Sequence, residues 1–164
     1  MILAHLPSSY LLGRAGGGPR AVMIAALIGS VAPDFDMLWF WLVDGGQTHH
    51  HRFWPHIPLV WIGIAAIALP LIAGVARRWP APAAAFLAAI LMHICLDTVN
   101  GGILWGWPFS DHLYLLVTVP ATRAHWVLSF LTHWSTLAEL AIIAAAALAL
   151  RREFVLRPSR RKIE

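Results

Sequence analysis

The sequence predicts an all-α, polytopic membrane bundle, and three observations predict it. Hydrophobic residues make up 59% of the 164 residues and charged residues 12%, whereas soluble domains carry about half and about a quarter. Several apolar runs approach the roughly 20 residues needed to cross a hydrocarbon core about 30 Å thick. Permanent cations fall in a few short stretches between those runs, as they do at the ends of membrane helices. The length allows one domain with a few membrane passes and leaves no room for a multi-domain enzyme.

Residues 3–12 can form a short helix, and Gly13-Arg14-Ala15-Gly16-Gly17-Gly18-Pro19-Arg20 reads as a turn. Residues 21–43 are long enough to cross, but Pro33-Asp34-Phe35-Asp36 interrupts them. Proline removes a helical hydrogen bond and restrains the residue before it. The helix is therefore expected to end near Val31, with a short interfacial segment over 37–43. The first 36 residues become a helical hairpin whose open end carries His5 on one arm and Asp34 and Asp36 on the other. At about 1.5 Å per residue the arms rise roughly 12 and 16 Å, so the three side chains can meet.

Three further membrane helices are expected over 57–76, 83–99 and 125–150. The third of these runs is alanine-rich at 141–149, and the second carries His93 and Asp97 in its last half. Residues 1–150 thus form one membrane-embedded domain, followed by a basic cytoplasmic tail over 151–164. Arg14 and Arg20 in the hairpin turn, Arg77 and Arg78, and the tail residues Arg151, Arg152, Arg157, Arg160, Arg161 and Lys162 all go inside. The loops 44–56 and 100–124 go outside, with only Arg52 and Arg123 as permanent cations. The net charge of +4 beside a long apolar helix points to anionic lipid head groups as partners, and no nucleic acid is expected. Cys95 is the only cysteine, which excludes an internal disulfide and a thiolate metal cage. No cleavable signal peptide is expected at the N-terminus.

Ionisable residues in or beside membrane helices are costly, about 2.5 to 3.5 kcal/mol for an Asp at mid-membrane. Asp34 and Asp36 flank one residue that can turn away while both carboxylates converge on a cation. His51 and His56 bracket a turn containing Pro55 in the run 49–56. His49, His50 and His51 cannot all point one way, so at most two histidines of this stretch are expected as ligands. His93 and Asp97 are four apart and share a helix face. The arginine-based topology puts His5, Asp34, Asp36, His51, His56, His93 and Asp97 at one level on the outer side. Carboxylate and imidazole suit zinc, with manganese or iron as alternatives. Seven ligands are many for one ion, so one or two divalent ions are expected.

An N-terminal His, Pro-Asp-x-Asp at 33–36, His-Arg-x-x-x-His at 51–56, His-x-x-x-Asp at 93–97 and Trp107-Pro108-Phe109-Ser110 follow one another in that order. This order resembles the YdjM-like family of bacterial inner-membrane, metal-dependent hydrolases, from about His5 to Ser110. Members usually carry Gly-Phe-Thr where this chain has Phe53-Trp54-Pro55, and often Ser where it has Ile57. The resemblance implies a hydrolase in the bacterial inner membrane. The His-x-x-x-Asp spacing is loosely similar to that of zinc-dependent phospholipase C, which makes a lipid-like phosphoester the natural substrate to consider. Analogy of this kind does not decide a reaction.

A bound ion would activate water, with Asp97 as the expected base and Arg52 as a contact for an anionic group. His112, His125, His133 and Glu139 are secondary candidates for completing the site, and Asp111 lies beside them. The competing expectations are a metal-binding or metal-transport protein without hydrolytic activity, and an interaction protein whose polar cluster is structural. Transport favours ligands strung across the membrane, whereas hydrolysis needs them gathered around an open coordination position.

Overall fold

The computed structural model describes residues 3–17 and 19–156. The part of the expected tail beyond 156 lies outside the described residues. Among the described residues seven α-helices follow in order: α1 (His5–Ala15), α2 (Arg20–Gly29), α3 (Asp36–Leu42), α4 (Pro58–Val75), α5 (Pro80–Asp97), α6 (Trp126–Leu131) and α7 (Thr136–Leu156). Among the described residues there is no strand, only an isolated bridge between Ile103 and Tyr114.

α1 and α2 form the expected hairpin, turning through Gly17 at φ +56°. α2 packs closely on α5. A Cβ on Gly29 would lie 2.3 Å from the Phe86 carbonyl oxygen and 3.1 Å from the Ala89 Cβ, so only glycine permits this approach. Small residues bring membrane helices together in this way, because dispersion contacts between backbones replace a hydrophobic driving force that lipid does not supply. Beneath the polar end of the bundle sits an apolar core of Trp61, Leu87, Ile90, Ile94 and Ile103.

The break at Pro33 is present. α2 ends at Gly29, Pro33–Phe35 make one 3-10 turn, and α3 leaves at 45° to α2. The Ser30 hydroxyl donates to the Leu27 carbonyl at 2.8 Å, which closes the last turn of α2.

The number of membrane passes is smaller than expected. Two helices among the described residues, α4 and α5, are long and apolar enough to cross a bilayer, and the bent pair α2–α3 makes a third if it acts as one span. The run 125–150 is not one helix but two. His133 and Ser135 bond to each other through Nδ1 and Oγ at 2.9 Å, and the Thr136 hydroxyl donates to the Phe130 carbonyl at 2.8 Å. Such side-chain bonds offer the backbone an alternative to the helical ladder. The resulting α7 then carries Glu139, Arg151, Arg152 and Glu153, and it does not qualify as an apolar span.

The connectivity gathers four helix ends. The start of α1, the end of α2, the start of α4 and the end of α5 lie at one end of the bundle, with the start of α7 beside them. Arg14, Arg20, Arg77 and Arg78 belong to the opposite ends of those helices. Backbone bonds close the 98–117 segment back onto the residues that follow α5: Leu116 N–H to Thr98 O and Val117 N–H to Val99 O at 2.9 and 2.8 Å.

Candidate metal centre

Three histidines at the centre are held from behind. His93, one turn before the end of α5, places Nδ1 2.7 Å from the Ser30 carbonyl. His51, on a 3-10 turn over His50–Arg52, places Nδ1 2.9 Å from the carbonyls of both Gly101 and Gly102. His56 places Nδ1 2.6 Å from Asp36 Oδ2. Carbonyl and carboxylate oxygens only accept, so Nδ1 is the protonated nitrogen of all three rings. Their Nε2 atoms are left on the side of Asp97.

The three Nε2 atoms surround Asp97 Oδ2, and two of them also approach Asp34 Oδ1. His93 Nε2 lies 3.0 Å from Asp97 Oδ2 and 3.5 Å from Asp34 Oδ1. His56 Nε2 lies 3.8 Å from each of the same two oxygens, and His51 Nε2 lies 3.6 Å from Asp97 Oδ2. Ligands at 2.0 to 2.2 Å around one ion stand about 3.0 to 3.5 Å apart, and these five separations of 3.0 to 3.8 Å approach that spacing, with His51 joined to the set through Asp97. His56 Nε2 and His93 Nε2 are buried without a hydrogen-bond partner. Burying two imidazole lone pairs against carboxylate oxygens costs free energy, and a cation relieves that cost. The donor set therefore fits a divalent ion on chemistry and on geometry. A carboxylate or carbonyl behind each imidazole is also the outer arrangement that fixes metal-ligating histidines.

Burial pushes the His51 imidazole down to about 3, with the neighbouring His56 adding to the effect. Near neutral pH the ring is uncharged and its Nε2 can coordinate.

The structure brings together all seven expected ligands but divides their tasks. Asp34 and Asp36 converge on His56 from its two sides, while Phe35 between them is exposed. Asp36 faces Nδ1 rather than the centre. His5 lies on the far oxygen of Asp97, with Nε2 3.1 Å from Oδ1, and its ring stacks on His93 at 3.8 Å between centroids. Both oxygens of Asp97 are thus engaged.

His50 was not among the expected ligands, yet nitrogens of His50, His51 and His56 come within 4.8 Å of one another. Three histidines of the 49–56 stretch therefore approach the centre where at most two were expected. Sequence offers no signal for which of three adjacent histidines turns inward, nor for the carbonyls of Ser30, Gly101 and Gly102.

Arg52 is exposed, and its guanidinium donates to the Asp111 carbonyl at 3.3 Å. It does not line the cavity beside the centre. His125 caps α6 by accepting from the Val127 N–H at 3.3 Å, and His112 is exposed against Tyr114. Glu139 is buried in α7 and accepts from the Leu3 N–H.

The cavity beside the centre has a volume of about 540 Å³. Asp34, whose side chain is 43% exposed, opens onto it. His5, Asp97 and His49–His51 supply the polar side of its lining, while Met37, Phe40 and Trp41 near α3 and Trp126 and Phe130 from α6 supply apolar walls.

The model of the YdjM inner membrane protein family matches residues 1–158. The chain belongs to that family. No curated protein and no solved structure matches it. As a YdjM-family chain carrying two or three apolar helices of crossing length, it is a membrane protein, and its polar cluster lies at one end of the bundle.

Proposed function

We propose that this YdjM-family chain is a metal-dependent hydrolase acting on a lipid-like phosphoester. The observation that carries the proposal is the convergence of three Nε2 atoms, each on a ring fixed by an acceptor behind it, on Asp97, with Asp34 beside two of them. His51, His56, His93, Asp34 and Asp97 would hold one divalent ion, with zinc first and manganese or iron as alternatives. Such an ion, when bound, supplies Lewis acidity toward a phosphoryl oxygen and lowers the pKa of water.

The chain's own residues supply the rest. Asp36 holds the proton on His56 Nδ1 and so keeps Nε2 free. His5 occupies Asp97 Oδ1, so Asp97 is poorly placed to accept a proton, and the role of base passes to Asp34, the carboxylate that opens onto the cavity. The aromatic and methionine walls exclude water and suit the apolar part of an amphiphile that enters from the bilayer. In the topology proposed from the arginines, the centre faces the outer side and the tail is cytoplasmic.

A metal transporter is the second reading. It is disfavoured by the ligands being gathered at one end, with the buried Ile90 and Leu87 lying about one and two turns before His93 along α5. A path for ions through that apolar core is not built.

The test is metal analysis of the purified protein beside Asp34→Ala and His93→Ala, coupled to a hydrolysis screen over phospholipids and small phosphoesters. The expected result is a stoichiometric ion in the wild type, at least a tenfold loss of affinity in both variants, and metal-dependent release of phosphate or head group. Unchanged metal content in both variants would refute the site. A bound ion with no hydrolysis across the screen favours the transport or storage reading.

A further inference from the structure

Asp36 uses one oxygen on His56 and leaves the other unsatisfied. Its Oδ1 is buried with no hydrogen-bond partner, and the whole side chain is only 3% exposed. His50 Nδ1 is likewise buried without a partner, and it lies 3.6 Å from that oxygen. The separation is too long for a hydrogen bond and matches two ligands of one ion, which stand about 3.0 to 3.6 Å apart depending on their angle. We propose that Asp36 Oδ1 and His50 Nδ1 form a second, weaker divalent-cation site beside the first, completed by water and by an oxygen of the phosphoester. This inference rests on the metal-dependent reading above and deepens it.

Charge supports the second site. Asp34, Asp36 and Asp97 surround the centre, and among the described residues no Lys or Arg lines the cavity, with Arg52 turned to the Asp111 carbonyl. Asp34 and Asp36 bracket His56 with two carboxylates, and their field favours a cation at Asp36 Oδ1. His50 lines the same cavity as Asp34, so the open coordination positions of the second ion face the space a substrate would fill. Two protein ligands are few, and ions held by one or two side chains are commonly completed by substrate phosphate. The site is therefore weak alone and tightened by phosphate.

Manganese titration of the purified full chain in detergent, with free ion read by electron paramagnetic resonance, tests this. The wild type should show a tight class and a weak class of one ion each, and inorganic phosphate should tighten the weak class at least tenfold. His50→Ala should abolish the weak class and leave the tight class within about threefold. Asp36→Asn should abolish the weak class and also weaken the tight one, because it releases His56. A single tight class in the wild type, with phosphate present or absent, overturns the second site alone. Persistence of both classes in His50→Ala also overturns it. Absence of any tight class overturns the metal reading and this inference with it.

Discussion

Gly101 gives the most direct handle on how the centre is held without touching any candidate ligand. A Cβ built there would stand 2.5 Å from His51 Cε1, 3.0 Å from the Asp97 carbonyl oxygen and 3.1 Å from His51 Nδ1. The carbonyl belongs to the end of α5 and cannot recede, so in Gly101→Ala the imidazole has to move by about 1 Å to restore van der Waals contact. That movement breaks the paired bonds from Nδ1 to Gly101 and Gly102 and draws Nε2 out of reach of the other ligands. Loss of an orienting contact of this kind typically costs 10- to 100-fold in metal affinity, or about 1.4 to 2.8 kcal/mol. Competition against a chromophoric chelator measures it. Gly63→Ala is the control, since a Cβ there meets nothing within 4 Å. Gly101→Ala binding metal as tightly as Gly63→Ala would refute the reasoning that His51 is a ligand aimed by the 101–102 backbone.

Three further outcomes are expected. Asp36→Asn retains shape but removes the carboxylate from His56 Nδ1, and metal affinity should fall about 10- to 100-fold in the same competition assay. Gly29→Ala places a methyl 2.3 Å from the Phe86 carbonyl oxygen, and overpacking of this severity should destabilise the bundle by about 1–3 kcal/mol or more, read as a lowered thermal midpoint in detergent. The metal-stripped protein should lose stability as pH falls. His51 is held neutral down to about 3 in the folded state but takes a proton near 6.5 when unfolded. Between those values the unfolded chain binds the extra proton, so stability rises with pH by at most about 1.4 kcal/mol per unit from this residue. Thermal midpoints at pH 7 and pH 5 check it; His51→Gln should flatten the slope, and an unchanged slope would count against a buried neutral imidazole.

The parts of the molecule that were legible in the sequence are those written in side-chain type and spacing. Hydropathy revealed α4 and α5, Pro33 revealed the bend after α2, and the arginine stretches placed the polar cluster at one end. The hairpin's arm lengths implied that His5 would meet Asp34 and Asp36; His5 does reach that end of the bundle, but its Nε2 lies on Asp97, 92 positions away. The rest depends on backbone atoms or on directions that residue type does not encode. The last apolar run reads as one helix because nothing in hydropathy reports that His133, Ser135 and Thr136 bond to each other and to nearby backbone. Asp34 and Asp36 look equivalent in a Pro-Asp-x-Asp string, and only the 3-10 turn over Pro33–Phe35 assigns one to each side of His56. Arg52 looks like a substrate contact beside three histidines, but the local turn points it at Asp111.

The central claim is that His51, His56 and His93, through Nε2, and Asp34 and Asp97 hold one tight divalent ion. X-ray absorption on the purified protein with its tight site filled measures that shell directly. The account predicts nitrogen and oxygen neighbours only, at about 2.0 to 2.2 Å, with outer-shell scattering from about three imidazoles that falls to two in His93→Ala as affinity drops. A shell containing sulfur, one without imidazole scattering, or one unchanged in His93→Ala would contradict it.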